Sequence, residues 1–387
     1  MESPHSRRQW LRSFAALTAG VSLGPALYRS LMAAPVSRAE YQFGMENILQ
    51  AQIKARLTSN ENPYGPSPIA RKAIENAIGE ANLYPFSRQR EFLEVLAERE
   101  GLSPDHILVG AGSTESLCLA GLIFGINGGR IISANPTFST LMQYAEVFGA
   151  KWDKVDLNDK LEHNLEAMAS AITSDTRLMF VCNPNNPTGT VLPHNVLMGF
   201  CEEVSKRVPM YLDEAYLEFL PPDQQQSLVK LVQNGNKNVI LTRTFSKIYG
   251  MAGLRIGYAV AHPDLIKKLR DHQMGGGLMT VSNTTLAAAQ AALSDKEFNE
   301  DCRVKNAQAR LYTINHLKER GFDIKSSATS FAFFPIEMEG QAFLGGMRNE
   351  GVGVRVWDYK GRQWCRVSIG TMDEMKLFTS AIDKVLV

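Results

Sequence analysis

The feature that most constrains this chain is a series of short, mostly apolar runs set between helical stretches, each ending in residues that turn the chain or carry chemistry. The runs are His106-Ile107-Leu108-Val109-Gly110, Arg130-Ile131-Ile132-Ser133, Leu178-Met179-Phe180-Val181-Cys182, Met210-Tyr211-Leu212-Asp213 and Val239-Ile240-Leu241-Thr242. Short Val/Ile/Leu/Phe runs of this kind read as strands buried on both faces. Separated by helices, they predict a mainly parallel sheet covered on both sides. Ligands of such sheets bind beyond the carboxyl ends of the strands. The segments that follow the runs are therefore where function is expected.

After the last run comes Thr244-Phe245-Ser246-Lys247-Ile248-Tyr249-Gly250-Met251-Ala252-Gly253-Leu254-Arg255. A lysine between two hydroxyls, followed by small residues and then an arginine, is a poor pattern for a solvated surface. It suits an amine that forms an imine with an aldehyde cofactor beside a phosphate. Thr244 and Ser246 can donate to phosphate oxygens, and Arg255 can grip them with its fixed fork. The glycines let the backbone approach an anion closely. Such an assembly anchors pyridoxal 5'-phosphate (PLP).

The other strand ends add to this. Gly110-Ala111-Gly112-Ser113-Thr114-Glu115 lies where a strand turns into a helix, and a helix start favours phosphate. The same glycines would also serve a plain tight turn. Asn183-Pro184-Asn185-Asn186-Pro187-Thr188-Gly189 fixes Asn186, whose amide can donate to a phenolate oxygen such as O3' of PLP. In Asp213-Glu214-Ala215-Tyr216, a carboxylate at a strand end can hold a ring nitrogen protonated, and Tyr216 can reach O3'. Asp213 alone would equally suit a helix N-cap. Phe138, after Pro136-Thr137, can stack on the ring or serve as a core aromatic. In Trp364-Cys365-Arg366-Val367-Ser368 a single arginine sits in an apolar strand. A bidentate carboxylate ligand would satisfy that buried cation, which makes Arg366 the choice for a substrate carboxylate. Arg355 is a second candidate for an anionic group, or for an ion pair.

The full sequence has 387 residues, 44% hydrophobic, ample for more than one domain. A net charge of +1 without a long basic run gives no sign of nucleic-acid binding. Five cysteines, widely spaced and without a Cys/His cluster, read as small buried hydrophobes rather than zinc ligands or disulfides. Ser6-Arg7-Arg8-Gln9-Trp10-Leu11-Arg12 followed by an apolar, Ala/Gly/Leu-rich stretch from Ser13 to Tyr28 describes an export signal. The adjacent arginines point to the twin-arginine machinery and a periplasmic address, with cleavage expected after Ser37-Arg38-Ala39. A packed N-terminal arm on a cytoplasmic protein is the alternative. The expected organisation is a signal at 1–39, a turn-rich arm at 40–70 with a short helix at its start, a large α/β domain at 71–285 and a smaller α+β domain at 286–387. A helix is expected to start at Ser67-Pro68 and run through Ile78. In the smaller domain a long Ala- and charge-rich helix leads to strands near 330–336, 352–357 and 365–369 and then to a terminal helix.

Asn60-Glu61-Asn62-Pro63-Tyr64-Gly65, Asn185-Asn186-Pro187-Thr188-Gly189, Asp213-Glu214-Ala215-Tyr216 and the Lys247/Arg255 segment together resemble the fold-type I PLP-dependent aminotransferases of class I/II. Within them the likeness is to the histidinol-phosphate aminotransferase branch, from about residue 56 onward. The resemblance implies Lys247 as the cofactor-bearing lysine and proton shuttle, with Asp213 on the ring nitrogen and Asn186 and Tyr216 on O3'. It implies Ser113, Thr114, Thr244, Ser246 and Arg255 around the phosphate. Arg366 then receives the substrate carboxylate, Arg355 a substrate phosphate, and Asn62 joins the substrate site. Tyr84, in Leu83-Tyr84-Pro85, matches a tyrosine that reaches the phosphate of the neighbouring subunit, so a homodimer with shared active sites is implied. The substrates implied are an amino acid and a 2-oxo acid. Decarboxylation, elimination or oxidation on the same scaffold remain alternatives. Phe138 departs from the branch, where tyrosine is common, as does Ser113-Thr114-Glu115 in the phosphate turn.

Overall fold

The computed structural model describes residues 53–386. The expected twin-arginine segment, the expected cleavage site and the short helix expected near residue 40 all lie outside the described residues. Twelve strands are present among them: β1 (Ala55–Arg56), β2 (Ile107–Gly110), β3 (Arg130–Asn135), β4 (Lys151–Asp156), β5 (Thr176–Cys182), β6 (Met210–Asp213), β7 (Val239–Thr244), β8 (Gly257–Ala261), β9 (Phe331–Ile336), β10 (Val352–Gly353), β11 (Arg355–Tyr359) and β12 (Arg362–Ser368). Seven form one sheet in the order β2-β8-β7-β6-β5-β3-β4. The members from β7 to β4 in that order run parallel, and β8 runs antiparallel to both β2 and β7.

All five expected strands lie in this sheet, and two more join them. β4 was not anticipated because Lys151-Trp152-Asp153-Lys154-Val155-Asp156 is charged. It is the edge strand, where charge discourages further pairing. β8 was not anticipated because Gly257-Tyr258-Ala259-Val260-Ala261 is small and lacks a bulky run, yet it is buried throughout.

The two faces of the sheet explain the unalternating runs. Leu178, Phe180, Tyr211 and Ile240 face one apolar layer, packed against residues of helices Ser113–Gly125, Thr140–Val147 and Pro263–His272. Met179, Val181, Met210, Leu212 and Leu241 face the other, with residues of helices Phe86–Glu100, His194–Val204 and Asn283–Ser294. Each such side chain contributes roughly 1.5–3 kcal/mol by leaving water. This second core continues without a break into Phe331 and Phe333 of β9 and Trp364 of β12.

Beyond the large sheet, β9, β11 and β12 form an antiparallel sheet in the order β11-β12-β9. The single strand expected at 352–357 is instead two. β10 pairs in parallel with β1 of the arm, and β11 pairs with β12. The long helix expected after 286 is also divided. Asp295 ends Asn283–Ser294 and caps Lys296–Glu319, accepting from the Phe298 amide. The helix expected from Ser67 is present as Pro68–Ala77, with Ser67 as N-cap and Pro68 in its first turn.

Backbone bonds fasten the arm to β10 and to β12 of the smaller sheet. Leu57 donates to the Gly353 carbonyl at 2.9 Å, and Ser368 donates to the Leu57 carbonyl at 2.9 Å. Gly250 (φ 67°) lets the segment after Lys247 press against the arm. A Cβ there would lie 2.0 Å from the Gly65 carbonyl oxygen.

Candidate active site

A cavity of about 270 Å³ opens at the carboxyl ends of β5, β6 and β7. Its walls include Ser113, Thr114, Phe138, Asn186, Asp213, Tyr216, Thr244, Ser246, Lys247, Arg255, Arg355 and Arg366. Twelve of the fourteen expected residues therefore converge from segments far apart in the chain, as a parallel sheet requires of its strand ends.

One end of the cavity is built for an anion. The helix Ser113–Gly125 starts at Gly112 (φ 84°) without a side-chain cap, so its first N–H groups are available to a ligand. The Glu115 carboxylate accepts from the Ala111 amide at 2.6 Å and closes the turn before it. Arg255, itself left-handed at φ 55°, reaches back to this turn. It donates to the Ala252 carbonyl at 2.8 Å and to Ser246 Oγ at 3.3 Å. The left-handed φ at Gly112 favours glycine, and a Cβ there would also sit 2.4 Å from the Arg255 guanidinium, which would have to shift. Thr244 Oγ1 accepts from the Ser246 amide at 3.1 Å, which sets the two hydroxyls side by side.

The middle of the cavity holds two titratable groups with displaced equilibria. Asp213, buried at the end of β6, accepts from the Ala215 amide at 3.1 Å. Burial pushes its pKa up to about 6, and the Ala215 amide and Lys247 pull against that. Lys247 donates to the Ser59 carbonyl of the arm at 3.0 Å. Burial, then the Arg366 charge, pushes its pKa down to about 8. Among the described residues neither group forms an ion pair, although the two charges act on each other at longer range. Such a pair fits a ligand that brings a cationic ring nitrogen to Asp213 and an aldehyde to Lys247. Together with the anion end, the residues fit PLP.

Tyr216 completes this part of the wall. Its hydroxyl accepts from Asn60 Nδ2 at 2.9 Å and from Asn186 Nδ2 at 3.4 Å. Asn186 lies next to Asn185, whose amide is fixed by Thr137 (2.7 Å) and Thr188 (2.9 Å), so the loop after β5 is rigid.

The far end carries two arginines. Arg355 and Arg366 are direct register partners across β11 and β12, which puts both side chains on one face. Arg366 is buried beside Trp357, 4.9 Å from its ring centre. It donates to Asn186 Oδ1 at 2.7 Å and to the Thr58 carbonyl.

Two expected residues lie elsewhere. Asn62 does not line the cavity. Its amide donates to the Ile248 carbonyl at 2.7 Å and its oxygen accepts from the Tyr64 amide at 3.0 Å, which ties the arm to the Lys247 segment. Tyr84 is 72% exposed and stacks on Phe86, outside this chain's own cavity. Conversely, Ser59, Asn60, Glu61, Ala215 and Ala252 line the cavity without having been singled out. Asn60 adjoins Asn62 in the same motif, and no spacing rule distinguishes the amide that faces the cavity from the one that braces the arm. Four of the five cysteines are buried and Cys118 is half-buried, all as free thiols.

Residues 52–382 match the family described as aminotransferase class I and II. The histidinol-phosphate aminotransferase of Moorella thermoacetica is 35% identical over 353 residues, 91% of this chain and 89% of that protein. Histidinol-phosphate aminotransferase 1 of Cupriavidus pinatubonensis is 36% identical over 359 residues, 91% and 92% of the two chains. The crystal structure of histidinol-phosphate aminotransferase from Sinorhizobium meliloti in complex with pyridoxal-5'-phosphate is similar with a TM-score of 0.80 and 27% identity. That likeness covers 94% of this chain and 98% of that one.

Proposed function

Because the chain belongs to the class I and II aminotransferase family, we propose that it moves an amino group between an amino-alcohol phosphate of the histidinol-phosphate kind and a 2-oxo acid. PLP-dependent amino-group transfer on the fold-type I scaffold is its chemistry. The phosphate ester is our reading of its substrate. When bound, PLP supplies an aldehyde that takes the amino group and a ring that draws electrons from the amino-bearing carbon.

This chain's residues would divide the remaining work. Lys247 would carry the cofactor and, when its amine is free, would hold and move the proton of the substrate's amino-bearing carbon. A lysine with its pKa lowered to about 8 has a usable neutral fraction near neutrality. Asp213 would keep the ring nitrogen protonated, and Asn186 and Tyr216 would hold the ring oxygen. Ser113, Thr114, Thr244, Ser246, Arg255 and the first turn of helix Ser113–Gly125 would hold the cofactor phosphate. Phe138 would cover the ring.

The observation that carries the substrate reading is the in-register pair Arg355 and Arg366 in one cavity wall. One guanidinium satisfies a carboxylate, and two suit a phosphate dianion better. Relatives whose names specify histidinol phosphate support the same reading. The test is conversion of the cofactor from its aldehyde to its amine form, followed by absorbance. Histidinol phosphate should drive it at far lower concentration than histidinol, with 2-oxoglutarate reversing it. Arg355→Gln should raise KM for the phosphate ester roughly 10- to 100-fold, the worth of a charge-assisted bond, with a smaller effect on glutamate. Equal response to histidinol and its phosphate would sink the substrate reading.

We infer further that two copies share their active sites. Tyr84 of one would reach the cofactor phosphate of the other, since it stands exposed beside the exposed apolar residues Leu83 and Phe86. The Ser6–Arg12 pattern supports export by the twin-arginine route. Finding the mature amino terminus near residue 40 in a periplasmic fraction would support that address, and a full-length cytosolic protein alone would oppose it.

A further inference from the structure

We propose that Asn60 is a positioning residue for the cofactor's ring oxygen, acting through Tyr216, and that it links that oxygen to the strand bearing Arg366. The inference rests on the reading of Tyr216 given above. Asn60 holds φ 54°, a left-handed conformation that asparagine tolerates better than most residues. Its backbone N–H donates to Ser368 Oγ at 2.8 Å, and that hydroxyl donates to Asn60 Oδ1 at 2.8 Å. With Oδ1 held as an acceptor, the amide has only one orientation. Nδ2 therefore points at Tyr216 and donates to its hydroxyl at 2.9 Å.

Asn186 Nδ2 approaches the same hydroxyl at 3.4 Å. A tyrosine hydroxyl has limited acceptor capacity and a single proton. Two amide donors occupy the acceptor side, so the proton is left to point at the cavity. Burial pushes the Tyr216 pKa up, so that proton stays on the oxygen. Tyr216 is thereby fixed as a donor toward the cavity, the polarity that a ring oxyanion needs. Both amides also reach β12. Asn186 accepts from Arg366, and Asn60 is bonded to Ser368 two residues further on. The pair spans from the ring oxygen to the substrate-binding strand, and the arm supplies one of its two limbs.

The test uses the cofactor-loaded enzyme without substrate. The measured quantity is the pH at which the absorption of the Lys247-linked cofactor changes as its nitrogen loses a proton. Weaker donation to the ring oxygen leaves more negative charge there and holds that proton to higher pH. Asn60→Ala should raise the midpoint by about 0.5–1 pH unit, the worth of one hydrogen bond. Asn60→Asp keeps the size and the Ser368 contact but can only accept from Tyr216. It should raise the midpoint further, and it carries the test where Asn60→Ala does not retain cofactor. In a Tyr216→Phe background the Asn60→Ala shift should vanish. An unchanged midpoint in both Asn60 variants would overturn the proposal, as would an equal shift in the Tyr216→Phe background. A wild-type protein with no Lys247-linked absorption would instead defeat the assignment of Lys247.

Discussion

Two clusters of buried charge occupy adjacent residues at the ends of β6 and β7, and they are built on opposite plans. Glu214 and Arg243 belong to one, their neighbours Asp213 and Thr244 to the other. Arg243 lies 3.3 Å from Glu214, 3.6 Å from Glu218 and 3.9 Å from Glu100, and Tyr258 donates to Glu100 at 2.7 Å. Glu214 also accepts from Ser227 Oγ and the Leu228 amide, both at 2.8 Å. Burial leaves Glu214 and Glu218 raised and Arg243 opposes it, so these carboxylates have a cationic partner inside the fold. In the cavity, Asp213 and Lys247 are held by a backbone amide and a backbone carbonyl. Their equilibria are left displaced toward the neutral forms. A charge answered within the chain is structural, and a charge left facing a cavity is available to a ligand.

The sharpest way to break this contrast is Lys247→Ala. Turnover should fall by about 10⁴-fold or more, and borohydride should no longer attach cofactor to the chain. Full turnover or normal labelling would remove the functional half of the comparison. Next comes the structural half. Arg243→Met leaves Glu214 and Glu218 without their cation, while Glu100 keeps Arg99 at 3.7 Å, and should cost about 3–5 kcal/mol in denaturant unfolding. Unaltered stability would mean that the cluster does not depend on its arginine.

Asp213→Asn should act with the opposite sign on the cofactor-free protein. Because the folded pKa is raised from 3.8 to about 6, the folded state holds the proton more tightly than the unfolded chain. Stability therefore falls as pH rises through that window and stays lower above it. Asparagine removes the penalty and should stabilise the cofactor-free protein by about 3 kcal/mol at neutral pH, while transfer activity drops. For Lys247 the folded pKa is lowered from 10.5 to about 8, so stability should rise with pH between those values. A flat profile in both windows would show that the cavity does not displace these groups. The smallest effect is expected at the anion end, where Thr114→Ala removes one donor. Cofactor dissociation should increase roughly tenfold by equilibrium dialysis, and no change would take Thr114 out of the phosphate cradle.

Most of the cavity wall was legible in the chain order because it sits on local signals. Lys247 between two hydroxyls, Asp213 closing an apolar run and the glycines before Ser113 each declare a strand end or a helix start within a few residues. β8 and β4 were not legible. The first is too small in its side chains and the second too charged to show a strand pattern, and their place is set by pairing with distant partners. The break at Asp295 was hidden because no glycine or proline marks it.

The sequence by itself determined that strands would bring a lysine, a carboxylate and a glycine turn at a helix start to one edge, since local propensity and apolar runs specify strand ends. Only the tertiary structure decided that Arg355 stands opposite Arg366, that Asn60 and not Asn62 faces the cavity, and that Arg243 belongs to the core. Those outcomes depend on contacts between residues as much as 308 positions apart, such as Asn60 with Ser368. No local pattern encodes such a contact, because its energy exists only once the arm and the two sheets have been packed together.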